Sequence, residues 1–278
     1  MQIAPVSGAL GAEITGVDLS ADLSNQQAAD VHAAFLRHHV LFFRGQSMSP
    51  QQQMSFTRVF GEPALYPFIQ GMPDAPEVIE IVKTESDIAN FGGSWHSDTA
   101  YMPEPALGTV LQALEVPDAG GDTLFANTGA AYRALSDGMR RLVDGLVGVN
   151  SSENGYGGSR ARGMSRLSAM KGAFNPVAES YESEHPIVRT HPESGIKGLY
   201  VSRSHTVRFK DMTAEESKPL IEYLTSHITS PEFTCRFRWQ PGSVAVWDNR
   251  VTQHFALNDY AGKRRHMRRV TIKGDRPF

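Results

Sequence analysis

The sequence predicts an α+β protein, mainly β, with a closed or sandwiched antiparallel core and helices packed outside it. Three observations lead there. Strand-like runs outnumber helical stretches toward the C-terminus, the turns joining them are short, and neither an internal repeat nor a linker interrupts the chain. The 278 residues are therefore read as one domain spanning 1–278.

Each element has its own warrant. Residues 8–20 read as short strands with glycine turns. Residues 22–38 carry Val31, Ala34 and Phe35 at helical spacing behind Ser24 as a cap. Val40, Leu41, Phe42 and Phe43 form a continuous apolar run of strand length, which suits a strand buried on both faces. Ser49-Pro50 opens a second helix, serine capping and proline occupying the first turn, with a stop near Phe60-Gly61. Residues 78–82, 107–116 and 123–126 read as strands, the last two separated by a Gly120-Gly121 turn. Residues 128–146 are helical with Met139, Leu142, Val143 and Leu146 as the apolar stripe, and Ser136-Asp137-Gly138 divides them in two. Residues 151–173, rich in glycine, serine and arginine, read as a loop, either a lid or an unstructured insertion. Residues 185–201 form a hairpin turning at Glu193-Ser194-Gly195, and 213–228 a helix opened by a Thr213/Glu216 capping box. Strands at 233–239, 244–247 and 267–272 complete the chain.

Bulk composition narrows the function. A net charge of -3 and a pI near 6.4 give no general attraction to nucleic acid or to anionic membranes. No apolar stretch approaches the ~20 residues of a membrane-spanning helix. A single cysteine, Cys235, forms no internal disulfide, and the start lacks the basic flank and apolar run of a secretory signal; the expected compartment is the reducing cytoplasm.

The chemistry-bearing residues are His96-Ser97-Asp98 and His254. Two imidazoles and one carboxylate can hold one face of a metal ion and leave the other open to small molecules. Alone the tripeptide is a weak signal: Ser97-Asp98 also suits a cap or turn, and His254 a core histidine bonded to a carbonyl. His191-Pro192-Glu193 has similar spacing but reads better as a turn. If His96 and Asp98 lie on a strand, residues two apart point the same way and reach one ion. The loop-like residues 90–94 before them put the pair at an element end. Farther on, Arg265, Met267 and Arg269 alternate with Arg264, His266 and Arg268. As a strand this is either a solvated basic edge or an inward-facing pair of arginines that demands anions.

Taken in order, Trp95-His96-Ser97-Asp98, Gly120-Gly121-Asp122-Thr123, Trp247 through His254 and Arg265 through Arg269 resemble the taurine dioxygenase family. The resemblance runs from Gly11-Ala12-Glu13-Ile14 to the final Gly274-Asp275-Arg276-Pro277-Phe278. It implies a double-stranded β-helix, a cupin-like jelly roll flanked by helices. It implies iron(II) held by His96, Asp98 and His254, and 2-oxoglutarate whose distal carboxylate meets Thr123 and Arg265. Three protein ligands leave three positions on an octahedral ion, two for the keto acid and one for dioxygen. The implied reaction is hydroxylation of a substrate C–H bond, with succinate and carbon dioxide as co-products. A carboxylate at Asp98 speaks against a halogenase. Arg269 stands at the family position that anchors an anionic head group, so the expected substrate is a small organic anion: sulfonate, sulfate ester or aryloxy or alkyl carboxylate. Hydroxylation beside sulfur or oxygen would fragment it. Tyr66 and Gly92 stand where the taurine-specific member has a histidine and an asparagine, and His205 where it has a phenylalanine, which argues against taurine. Gly92 makes room for a bulkier molecule. Arg160, Arg162 and Arg166 sit in the expected lid. Family members often assemble as homodimers or homotetramers. Two other readings remain at this point: a zinc hydrolase on the same ligands, which leaves both arginines unexplained, and a non-catalytic jelly-roll binding protein.

Overall fold

A computed structural model describes residues 1–153, 167, 168, 173 and 180–278. In chain order these form β1 (Gln2–Pro5), β2 (Ala12–Thr15), α1 (Asn25–His38), β3 (Val40–Phe43), α2 (Pro50–Thr57), β4 (Pro63–Ala64) and β5 (Val78–Lys83). Next come β6 (Gly108–Glu115), β7 (Thr123–Asn127), α3 (Thr128–Ala134), α4 (Asp137–Val143), β8 (Val147–Ser151), β9 (Glu182–Pro186), β10 (Val188–Thr190) and β11 (Lys197–Leu199). The chain closes with β12 (Thr206–Phe209), α5 (Ala214–Ile228), β13 (Thr234–Phe237), β14 (Val244–Asp248), β15 (Thr252–Ala256) and β16 (Arg265–Ile272).

The large sheet runs β1-β2-β3-β14-β6-β16-β4, with β5 also pairing β16. Every pairing in it is antiparallel except β2 with β3. A smaller sheet, β13-β7-β15, faces it. Apolar side chains from both sheets meet between them: Phe42, Ile79, Leu111, Trp247 and Met267 from the large sheet, Phe125, Cys235 and Phe237 from the small one. This is the jelly-roll sandwich, and its helices lie outside. The other face of the large sheet, with Leu41, Phe43, Val110 and Val246, packs against Val31 and Phe35 of α1 and Phe56 of α2. The four residues of β3 are all buried because the strand is covered on both sides, which is why its sequence does not alternate. Ala126 of β7 contributes to a third cluster with Tyr132 of α3 and Leu224 and Ile228 of α5.

Caps set the helix starts. Ser24, Ser49 and Thr213 each accept a backbone N–H three residues on, and Gln27, Gln52 and Glu216 reach back to complete capping boxes. Ser136 caps α4 and separates it from α3, so residues 128–146 are two helices. Of the expected stripe, Val143 is buried and Met139 and Leu146 pack against the same cluster, but Leu142 is 52% exposed, because a seven-residue helix presents only one narrow face to the core. Helix α2 ends at Thr57, and turns carry the chain through Phe60. The hairpin at Glu193–Gly195 joins β10 to β11, whereas His185 belongs to β9 and pairs with Gly148 of β8. The expected lid at 151–173, with Arg160, Arg162 and Arg166, lies largely outside the described residues.

The basic run 264–269 is not a solvated edge. Strand β16 lies between β6 and β5, and Arg265, Arg268 and Arg269 are all buried. Arg268 is the one turned toward α2. It bonds Gln53 Oε1, Gln112 Oε1 and the Met48 carbonyl, and Gln53 returns hydrogen bonds to the Val110 and Arg268 carbonyls. Its Nε and Nη2 are thus satisfied by protein oxygens. Arg265 and Arg269 point the opposite way, into the sandwich.

Candidate metal centre

Strand β15 carries His254, in register with Phe125 of β7. A single antiparallel bridge joins it to His96: the His96 N–H donates to the His254 carbonyl at 3.1 Å and the His254 N–H to the His96 carbonyl at 2.9 Å. The bridge sets the two imidazoles side by side, ring centroids 4.2 Å apart. His96 Nδ1 lies 2.7 Å from the Ser94 carbonyl, so its proton sits there and Nε2 offers a lone pair.

Asp98 arrives differently from the expectation that it shares a strand with His96. The chain turns at Asp98, where Thr99 takes φ 51°, and the Asp98 N–H donates to Asn249 Oδ1 at 3.1 Å. The carboxylate is fully buried. Its Oδ2 accepts from Thr109 Oγ1 at 3.0 Å and Asn249 Nδ2 at 3.1 Å. Its Oδ1 lies 3.0 Å from Arg269 Nη2, 3.7 Å from His96 Nε2 and 3.8 Å from His254 Nε2. Ligand atoms of His96, Asp98 and His254 all fall within 4.8 Å of one another, the one such grouping among the described residues. Burial pushes the Asp98 carboxyl up, but Arg269, then His254 and His96, then the Thr109 hydroxyl outweigh it and hold the group well below the usual carboxylate range. An ionised carboxylate oxygen and an imidazole nitrogen less than ~4.2 Å apart can share one ion, since bonds to it run to about 2.1 Å. This donor set suits a divalent first-row metal.

A second feature lies deeper between the sheets. Arg265 is buried, and its Nε and Nη2 have no hydrogen-bond partner. Burial lowers its affinity for a proton, partly offset by Tyr260 and Asp122. Its guanidinium carbon sits 5.8 Å from the Trp239 ring, and Trp239 Nε1 donates to Thr123 Oγ1 at 2.9 Å. Gly121, at φ 71°, lets the backbone pass here: a Cβ would stand 3.5 Å from Arg265 Cδ and 3.3 Å from the Tyr260 ring. A buried fork of unused donors beside a hydroxyl has the donor geometry that suits a carboxylate.

The remaining expected residues gather around the same centre. The Arg269 guanidinium lies 5.1 Å from the Tyr66 ring, its Nη2 also donates to Thr109 Oγ1, and its Nε is buried with no hydrogen-bond partner. Gly92, at φ 81°, backs onto His96: a Cβ there would be 3.6 Å from His96 Cε1. His205 is buried with its ring 5.9 Å from that of His96. His191, the alternative ligand, is a turn residue as its sequence suggested. Backbone N–H groups of Glu193 and Ser194 donate to its Nδ1, so Nε2 donates to Asp248 at 2.9 Å. Sequence reasoning missed Thr109, Asn249 and Trp239, which hold Asp98 and Thr123 in place. The polar run Asp248-Asn249-Arg250 directly after an apolar strand was the available signal, since buried polar groups there must serve a partner.

Fold and site together define a jelly-roll protein in which two histidines and one carboxylate could hold a metal ion, with the unpartnered donors of Arg265 buried between the sheets. Residues 2–271 match the family model described as taurine catabolism dioxygenase TauD, TfdA family. An alpha-ketoglutarate-dependent sulfate ester dioxygenase of Pseudomonas putida is 38% identical over 280 residues, spanning 100% of this chain and 91% of its own. An alkylsulfatase of Acinetobacter baylyi is 36% identical over 277 residues, 99% of this chain and 86% of its own. The crystal structure of a taurine dioxygenase from Burkholderia xenovorans superposes with a TM-score of 0.82 at 38% identity, covering 99% of this chain and 92% of that one. The chain belongs to the TauD/TfdA family and is an iron(II)- and 2-oxoglutarate-dependent dioxygenase. That membership sets aside both the zinc hydrolase and the non-catalytic binding protein.

Proposed function

We propose that the chain, acting as a single catalytic domain, hydroxylates a small organic anion, with an alkyl sulfate ester ahead of sulfonates and aryloxyalkanoates. The observation that carries the site assignment is the convergence of Asp98 Oδ1 with the Nε2 atoms of His96 and His254. These three residues would hold the iron. Thr123 and Arg265 would receive the distal carboxylate of 2-oxoglutarate, since Arg265 has buried donors and no acceptor. Bound together, iron(II), 2-oxoglutarate and dioxygen supply the oxidising power for C–H hydroxylation, releasing succinate and carbon dioxide.

The protein's own residues supply geometry and charge. Thr109, Asn249 and Arg269 fix Asp98 and keep it ionised. Arg269 retains a buried Nε that suits a sulfate oxygen, and Tyr66 stands over its guanidinium. Tyr66 also lines an apolar cavity of about 400 Å³, with Leu65, Met102 and Thr99, the residue after Asp98; the cavity suits an alkyl tail. Gly92 and His205 would shape the wall next to His96. Preference for the sulfate ester rests on the identities to the two sulfate ester enzymes. The test is succinate formation with iron(II), 2-oxoglutarate, oxygen and a panel of alkyl sulfates, sulfonates and aryloxyalkanoates. Alkyl sulfates should stimulate it most, and His96→Ala should abolish it. Equal turnover by that variant, or stimulation by sulfonates alone, contradicts the proposal.

A further inference from the structure

Lys83, at the end of β5, is 3% exposed, and its Nζ has no hydrogen-bond partner. An ammonium is a strongly hydrated charge, and burying one without an acceptor is costly. Lys83 is also the register partner of Arg265 across β5 and β16, so the two side chains leave the sheet on the same face. Both touch one wall: Lys83 Nζ lies 4.6 Å from the centre of the Tyr260 ring, and Tyr260 packs with Gly121 beside Arg265. The carboxylate that acts on Arg265, Asp122, is shared: Arg236 holds its Oδ2 at 2.6 Å, and its buried Oδ1 bonds neither Arg265 nor Lys83. Two adjacent buried cations thus face one carboxylate already paired with Arg236, and Lys83 Nζ and Arg265 Nε and Nη2 bond no anion. Such a pair is tolerable in a fold that a ligand completes, since like charges side by side otherwise destabilise it.

We infer that Lys83 is a second cationic contact for the distal carboxylate of the keto-acid co-substrate, acting with Arg265. This rests on the proposal that Arg265 receives that carboxylate. The consequence is selectivity. A dicationic receptor favours a 2-oxo acid with a second carboxylate over one that ends in an alkyl group.

The experiment compares wild type, Lys83→Met, Lys83→Arg and Arg265→Met. Iron(II)-loaded protein is titrated without oxygen against 2-oxoglutarate and against 2-oxobutyrate, which lacks the distal carboxylate, while melting temperature is followed with and without keto acid. Lys83→Met should bind 2-oxoglutarate about tenfold more weakly or worse and bind 2-oxobutyrate as before. Lys83→Arg should restore part of the loss. Ligand-free Lys83→Met should melt at a higher temperature than wild type, because it removes the repulsion. A lower melting temperature with unchanged 2-oxoglutarate affinity would show that Lys83 only packs on Tyr260, and would overturn the inference. Unchanged affinity in Arg265→Met would instead overturn the reading beneath it.

Discussion

Asn249→Ala probes how the metal ligand is held. Asn249 is fully buried, and its side chain makes three hydrogen bonds: Oδ1 accepts from the Asp98 N–H and from Trp247 Nε1, and Nδ2 donates to Asp98 Oδ2, each at 3.1 Å. Truncation leaves two donors buried without acceptors, at about 1–3 kcal/mol each, and removes one charge-assisted bond from the carboxylate. These losses share partners and do not simply add, so the expected destabilisation is about 3–5 kcal/mol. That is a large share of the ~5–15 kcal/mol by which domains are stable. Thr109 and Arg269 still hold Asp98, so iron binding should weaken by about 10–100-fold and not vanish. Urea denaturation of the metal-free protein gives the first quantity, and iron(II) titration under anaerobic conditions gives the second. A stability change below about 1 kcal/mol together with unchanged iron affinity would refute the argument that Asn249 positions the ligand.

Two further outcomes follow from the same structure. His185 is buried with Nε2 bonded to the Met102 carbonyl, and burial depresses its pKa to about 4, below the ordinary 6.5. The unfolded chain therefore binds a proton that the folded one refuses; stability is full above pH 6.5 and falls by about 3 kcal/mol as pH drops toward 4. Urea midpoints across that range measure the loss, and His185→Asn should lessen it, leaving the part due to His39, which burial also depresses to about 4; an unaltered slope would refute the assignment. Gly92→Ala should cost about 1 kcal/mol through its φ of 81° yet leave iron binding intact, because the new Cβ would be an ordinary 3.6 Å from His96. Loss of iron binding in that variant would show the wall to be tighter than described.

Much of this site was legible because its residues obey local rules. Thr123 and Arg265 sit on strands, where alternation decides which way a side chain points, and the inward face of β16 is the one its spacing offers; His254 stood out by residue type and by the family resemblance. The caps at Ser24, Ser49 and Thr213 are equally local. Two things were not. Asp98 reaches the centre through a turn fixed by Asn249, 151 residues away along the chain, and no local pattern encodes that contact. The burial of Arg268 likewise depends on Gln53 crossing from α2 to satisfy it. Strand β15 itself was hidden by its polar Thr252-Gln253-His254, which serve the Asp248 carbonyl, the Val201 carbonyl and the cluster with His96 and Asp98.

The most direct measurement is anaerobic visible absorption of the iron(II)-loaded protein on addition of 2-oxoglutarate. The assignment of His96, Asp98, His254 and Arg265 predicts a weak charge-transfer band that saturates at one keto acid per chain. It predicts no band in His254→Ala and a band only at much higher 2-oxoglutarate in Arg265→Met. A band of undiminished strength in His254→Ala would contradict the assignment.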